Sequence, residues 1–292
     1  MRCRAAASAD GMMLPGLKLT KPGMFVTGTD TGVGKTVVCC AVAASLKRWG
    51  RVGVCKPIAT GCENIGGQLV SEDAVALQRF AGGGWPMERV NPVRFEAPVA
   101  PAVAAEQTGR VIDFDAIGES LTALDREADV MIVEGIGGLL VPIDPCDANR
   151  TVLDLIVTIG YPVVVVTRAG LGTLNHTAMT VKLLRQTGCR VAGLVVNGFV
   201  EDVAARDRDV ATADVSMVEN RRWLRMMTGC EVLATLPQCS PGTIVAHEGR
   251  IDAAVLDAAG QCHWPNVTDS SRCAGVGESG DESGGGESGD AI

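Results

Sequence analysis

The residues of this chain best equipped for chemistry are lysines, a threonine and carboxylates that each follow an apolar run. In VTGTDTGVGKT (26–36) a glycine-rich turn leads into Gly34-Lys35-Thr36. Backbone N–H groups of such a turn, followed by a helix N-terminus, cradle phosphate. Lys35 offers a cation to the terminal phosphates, and Thr36 a hydroxyl to a divalent ion. Five residues, not the usual four, separate Gly28 from Gly34, so Thr29 stands where a glycine is common. A plain turn capping a helix is the bland alternative. The apolar run before it and the helical pattern after it favour nucleotide binding.

Other charged groups repeat the placement. VCKPIATG (54–61) puts Lys56 where a strand leaves its sheet, and Pro57 stops further pairing. Two lysines at neighbouring strand ends suit a reaction in which negative charge builds on a transferring phosphoryl group. VMIVEGIGGLLVP (130–142) sets Glu134 at another strand end, followed by glycines that let a ligand approach the backbone. SEDAVALQRFAG (71–82) opens a helix with Ser71 as cap and Asp73 in the first turn. Asp73 either complements the helix dipole or joins Glu134 in holding Mg²⁺, which takes carboxylates together with phosphate oxygens. Lys56 could equally be a surface lysine at a strand tip.

These groups need a scaffold of short strands and helices. Apolar residues make up 47% of the 292 residues and aromatics 3%. The core must therefore be built from Val, Leu, Ala and Ile, as suits buried parallel strands. Strands are predicted at Met24–Thr27, Val52–Lys56, Val130–Glu134, Val163–Thr167, Val191–Val196 and Val232–Leu236. Helices are predicted to start near Lys35, Ser71, Phe114, Thr151 and Thr173, and within 212–228. This alternation predicts an α/β fold with a doubly wound, mostly parallel sheet, P-loop NTPase-like, in a single domain. Ligands of such sheets sit beyond the C-terminal strand ends. The expected organisation is a disordered leader (1–22), the domain (23–262) and a disordered acidic Gly/Ser tail (263–292).

Charge and cysteine usage narrow the partners. The net charge is −8, and residues 266–292 hold six of the acids against one arginine, so the body is near neutral. That argues against nucleic acid, whose phosphates call for a basic surface. The basic run NRRWLRMM (220–227) reads as a solvated helix face. No apolar run reaches membrane-spanning length. Eleven scattered cysteines without a Cys-x-x-Cys pair point to thiols in a reducing, cytoplasmic setting, not disulfides or zinc.

Four segments in order, VTGTDTGVGKT, KPIATG, VEGIGGLLVPI and GLGTLNHT, resemble the dethiobiotin synthetase family, as does APVAPAVAAEQTGR (97–110). The resemblance covers about residues 24–240. It implies ATP-dependent carboxylation and ring closure of 7,8-diaminononanoate with CO₂, with Mg²⁺ as cofactor and ATP as co-substrate. It implies Lys35 and Lys56 as catalytic residues, and Thr36, Asp73 and Glu134 as metal ligands. Gly32, Val33, Gly34, Lys35, Thr36 and Val37 would hold the phosphates, with Gly135, Ile136 and Gly137 nearby. Asn197, Gly198, Leu236, Pro237 and Gln238 would border the nucleobase. Thr31 and Thr60 would meet the substrate near its amines, Thr60 standing where the family has a serine. Gly172, Thr173, Leu174 and Asn175 would hold the far carboxylate across a homodimer interface. His176 reads as an ordinary first-turn residue. Gly32 replaces a glutamate of some relatives, and Asn197-Gly198 replaces Asn-Asp.

Three rivals share the fold. Partitioning-type ATPases carry a second lysine early in the loop, at a place held here by Asp30. Corrinoid amidases add a glutaminase domain, for which no room follows residue 260. A non-catalytic nucleotide sensor is the third. Phosphate release that depends on the diamine separates the family reading from all three.

Overall fold

The computed structural model describes residues 13–200, 216–240 and 245–269. Along the chain, β1 (Gly23–Gly28) leads through the glycine-rich turn to α1 (Lys35–Leu46), then β2 (Val52–Cys55). The short strand β3 (Ile58–Ala59) and the hairpin β4 (Glu63–Ile65) and β5 (Gln68–Val70) precede α2 (Glu72–Phe80) and α3 (Met87–Val90). Next come β6 (Val93–Arg94), α4 (Pro101–Thr108), α5 (Phe114–Glu127), β7 (Val130–Glu134), α6 (Val152–Ile159) and β8 (Val163–Arg168). The rest is α7 (Thr173–Gln186), β9 (Val191–Phe199), α8 (Ser216–Thr228), β10 (Val232–Pro237), α9 (Ala253–Gly260) and α10 (Trp264–Thr268).

Six strands form one sheet in the order β10-β9-β8-β1-β7-β2, and every pairing in it is parallel. The doubly wound α/β expectation therefore holds. The main-sheet strands fall within three residues of their predicted bounds, because near-continuous valine runs can be buried on both faces only in such a sheet. In β1 and β7 every residue is buried. β2 ends at Cys55, one residue before Lys56, which is thereby released from the ladder.

Helix starts follow local chemistry. The Ser71 hydroxyl accepts from the Ala74 N–H, Asp113 caps α5 through Ala116, and Thr151 with Asp154 forms a reciprocal cap on α6. Residues 212–215 of the last predicted helix lie outside the described residues.

Packing extends past the expected domain bounds at both ends. Met13 and Leu14 are buried in the core. The chain entering β1 is tied to α5, where the buried Asp125 carboxylate accepts from Thr20 N (2.9 Å), Thr20 Oγ1 (2.8 Å) and Lys21 N (2.9 Å). At the other end Trp264 is buried, and its indole N–H donates to the Ala259 carbonyl at 2.8 Å. Composition alone hid these anchors, because single apolar residues in polar surroundings give no periodic signal. The rest of the expected leader and tail, 1–12 and 270–292, lies outside the described residues.

Asp125→Ala removes a charged acceptor from three donors. A stability loss of about 2–3 kcal/mol is expected, read as a fall in Tm of roughly 5–10 °C, with kcat within twofold of wild type. An unchanged Tm would mean that this anchor contributes nothing.

Among the described residues eight cysteines are free thiols, five of them buried, as expected. Cys146 departs from that expectation, being disulfide-bonded. No helix among the described residues is long and apolar enough to cross a membrane.

Candidate active site

The glycine-rich turn is held from three sides. Thr29 N–H donates to the Val166 carbonyl of β8 at 3.0 Å. On the outer rim, Arg168 at the end of β8 donates to the Thr31 carbonyl at 3.2 Å and pairs with Asp30 at 3.7 Å. On the inner side, Asn197 of β9 donates its amide N–H to the Val33 carbonyl at 2.9 Å. Gly32 and Gly34 take φ of 71° and 94°, the left-handed region that favours glycine. A Cβ on Gly34 would strike the Asn197 amide nitrogen. Gly34→Ala is therefore expected to cost about 1–2 kcal/mol in backbone strain alone. It should also weaken nucleotide binding by displacing Asn197. Thermal melting and a nucleotide titration check both, and a variant that binds nucleotide as tightly as wild type refutes the second.

Lys35 folds back over the turn. Its side chain is buried, and Nζ donates to the Asp30 carbonyl at 3.0 Å. Gly28 makes room for it, since a Cβ there would lie 3.1 Å from Nζ.

The ends of β1, β2 and β7 converge on one charge cluster. Lys56 Nζ lies 2.6 Å from Glu134 Oε1, 2.8 Å from Asp73 Oδ2 and 3.2 Å from the Gly135 carbonyl. The Thr36 hydroxyl sits between the two carboxylates, 2.7 Å from Asp73 Oδ1 and 2.9 Å from Glu134 Oε1. Its one proton can serve only one of them at a time. Glu134 Oε2 is buried without a hydrogen-bond partner.

Lys56 is placed through its backbone. Its N–H donates to the Val90 carbonyl at 2.6 Å, and its carbonyl accepts from Asn91 Nδ2 at 2.6 Å. Asn91 is fully buried. Neither Asn91 nor Arg168 stood out in the sequence. A signal existed for Arg168, which directly follows a strand run. None existed for Asn91, a neutral residue after a four-residue helix.

Burial and charge oppose each other at these groups. Burial would lower the Lys56 pKa, but the Glu134 and Asp73 carboxylates outweigh it and hold the ammonium above the ordinary lysine value. At Glu134 burial wins instead and, with the charge of Asp73, holds the carboxyl above the usual range against Lys56 and Thr36. At Asp73 burial raises the pKa, yet Lys56, Thr36 and Lys35 together bring it below the ordinary value. Lys35 is lowered, first by burial and then by the Lys56 charge.

Thr36, Asp73 and Glu134 form an oxygen-rich, proton-poor group beside the turn, with one carboxylate oxygen unpartnered. That donor set fits a hard divalent ion completed by phosphate and water.

The remaining predicted residues are more dispersed. Val37 and Ile136 are half-buried beside the core, and Val33 is buried. Gly135 donates its N–H to the Val26 carbonyl at 2.9 Å, and a side chain there would strike Phe25. Gly137 has φ 59°. Thr60 is half-buried just past β3, while Thr31 is exposed on the turn. Gly172 caps α7 with φ 88°. Leu174 is half-buried and Asn175 exposed. The Thr173 side chain is buried against Thr167 and Thr177, and its N–H already donates to the Gly170 carbonyl at 3.3 Å. Leu236 is buried in the core, Pro237 pairs with Phe199, and Gln238 N–H donates to the Phe199 carbonyl. Gly198 takes φ 78° with open space beside it.

A parallel sheet, a glycine turn entering a helix through Gly-Lys-Thr, and carboxylates at adjacent strand ends define a P-loop NTPase-like protein. A ParA family ATPase from Chlorobium tepidum TLS shares the fold at 11% identity and a TM-score of 0.50, over 83% of this chain and 98% of that one. The family model described as AAA domain matches residues 22–242. The ATP-dependent dethiobiotin synthetase BioD of Anaeromyxobacter dehalogenans (strain 2CP-C) is 42% identical over 74% of this chain and 89% of that protein. That of Thermodesulfovibrio yellowstonii is 35% identical over the same shares, and that of Mycobacterium leprae (strain TN) 42% over 60% and 74%. The chain belongs to the ATP-dependent dethiobiotin synthetase family.

Proposed function

We propose that this chain is an ATP-dependent ligase that carboxylates 7,8-diaminononanoate with CO₂ and closes the ureido ring of dethiobiotin. The observation that carries the reading is the convergence of Lys56, Thr36, Asp73 and Glu134 on one centre at the end of the glycine turn over which Lys35 folds.

One substrate amine captures CO₂ as a carbamate. A carbamate oxygen then attacks the γ-phosphorus and expels ADP, giving a carbamic–phosphoric anhydride. The second amine attacks the carbonyl and expels phosphate. Phosphorylation is needed because an oxide is a poor leaving group. The first transfer brings two anions together, so cations must gather at the meeting point. Lys35, over the glycine turn, and Lys56, at the neighbouring strand end, supply them. Thr36, Asp73 and Glu134 would hold Mg²⁺, which when bound neutralises phosphate oxygens. No protein nucleophile takes part. The second amine is already tethered beside the carbonyl, so proximity replaces activation.

Gly32 to Val37 would hold the phosphates, and Gly135 to Gly137 would close the adjoining wall. One Asn197 N–H is committed to Val33, and Oδ1 would accept from the exocyclic amine of adenine. Gly198 and the backbone of Leu236, Pro237 and Gln238 would line that end. Thr31 and Thr60 would meet the amines. The far carboxylate would sit at the N-terminus of α7, at Gly172, Leu174 and Asn175. Thr173 would contribute shape, since its N–H is already engaged. We place that site at a homodimer interface. The helices α7 and α8 pack together and expose Met179, Trp223, Met226 and Met227, apolar side chains that a dimer interface would cover. The expected setting is cytoplasmic, without nucleic-acid or membrane partners.

Purified protein mixed with ATP, Mg²⁺, bicarbonate and the diamine tests the reading. Phosphate release that requires the diamine, with dethiobiotin identified by mass, is the expected result. Release indifferent to the diamine would favour an ATPase switch.

A further inference from the structure

We propose that Lys56 is the resident counter-ion of the Asp73–Glu134 pair and keeps the divalent-ion site closed until nucleotide arrives. The inference rests on the reading that Thr36, Asp73 and Glu134 hold the metal, and it concerns what fills that site beforehand.

A lysine ammonium has three N–H donors. Lys56 has three acceptors within reach, at Glu134 Oε1, Asp73 Oδ2 and the Gly135 carbonyl. Its side chain is 4% exposed. In this state the ammonium faces the carboxylates and has no donor left for a phosphate. Yet the two carboxylates it neutralises belong to the proposed metal site.

A divalent ion beside Thr36 would face the Lys56 charge across shared oxygens. Glu134 Oε1 already lies within hydrogen-bond distance of both Lys56 and Thr36. Three positive charges on two carboxylates repel at close range, and burial strengthens the repulsion. A triphosphate changes the balance. Its negative charge accommodates both cations, and Lys56 can turn a donor from Asp73 to the transferring phosphoryl group. Glu134 Oε2, buried and unpartnered, is then available to the ion. Metal entry and the arming of Lys56 become one event, and both wait for nucleotide. Metal-free nucleotide and nucleotide-free metal would each leave the lysine occupied.

Mn²⁺ alone is the probe, with free ion measured by electron paramagnetic resonance. Without nucleotide, Lys56→Met should bind one Mn²⁺ about tenfold or more tighter than wild type, a coupling of ordinary size. The gain must vanish when Asp73→Asn is added to Lys56→Met, which separates this site from binding elsewhere on the acidic chain. Equal affinity in wild type and Lys56→Met, or a gain that survives Asp73→Asn, overturns the proposal. Should Lys56→Met prove too unstable for titration, its Tm must rise more with Mn²⁺ than that of wild type, and an equal rise overturns it. Mn²⁺ binding with ATP present tests the underlying reading separately. If Asp73→Asn leaves that binding unchanged in the wild-type background, the metal assignment itself fails. If it weakens that binding while Lys56→Met shows no gain, only the closed-site proposal fails.

Discussion

Lys35→Ala is expected to fold and to lose about 10²–10³-fold in kcat, the usual loss when a positioned charge-stabilising donor is removed. The two parts of that expectation have different origins. Lys35 donates to a backbone carbonyl, that of Asp30, which lies on an exposed stretch of the turn where water can replace the bond. No buried carboxylate depends on it for direct pairing, so the melting temperature should move little. The γ-phosphoryl group has no such substitute. Of the two ammonium groups at the centre, Lys35 is the one not bound to a carboxylate. Arginine should not rescue, because Nζ already sits close beside Gly28 and a branched head group would meet the turn. Steady-state kinetics with diamine-dependent phosphate release, alongside thermal melting, distinguish the outcomes. Turnover like that of wild type would remove the two-cation argument.

Glu134→Ala should strike stability as well as turnover. Glu134 is 1% exposed and pairs with Lys56, itself 3% exposed. Removing one partner of a buried pair leaves the other charge short of compensation, at about 3–5 kcal/mol. Here Asp73 and the Gly135 carbonyl remain, so the lower part of that range is expected. The fall in Tm should be on the order of 10 °C. Adding Lys56→Met to Glu134→Ala should recover part of the loss, since no buried charge is then stranded and the Asp73 carboxylate that loses its lysine is partly exposed to water. Denaturant unfolding of the four proteins in that cycle gives the coupling. If the double variant is less stable than Glu134→Ala alone, the energetic account of the pair is wrong.

The principal groups of the centre were legible in the sequence for a common reason. Lys56 and Glu134 stand at the ends of valine-containing strands, and Lys35 follows the glycine turn after another strand; in a parallel sheet these ends share one edge. Asp73 was ambiguous, because an acid in a first helical turn has a local purpose as well. Its contact with Lys56 brings it into the charge cluster, and that contact depends on how α2 packs. Groups that act through the backbone were not legible. The Asp30 carbonyl, the Thr31 carbonyl held by Arg168 and the Asn91 amide all work through approaches between distant segments. The motif implies a place near the base for Asn197; what the structure shows is its grip on the turn. The buried residues beyond 23–262 were not legible for a related reason. Met13, Leu14 and Trp264 anchor singly, and periodicity needs several residues to show itself.

The hold on Lys56 has a bearing on how such an enzyme is lost. Both its peptide groups are clasped by Val90 and Asn91, two residues that bring no charge of their own to the centre. A missense change at Asn91 would spare every acid and base in the pocket, yet it would free the main chain from which the ammonium is hung. A clinical or genetic survey that ranks variants by chemistry alone would pass it as harmless.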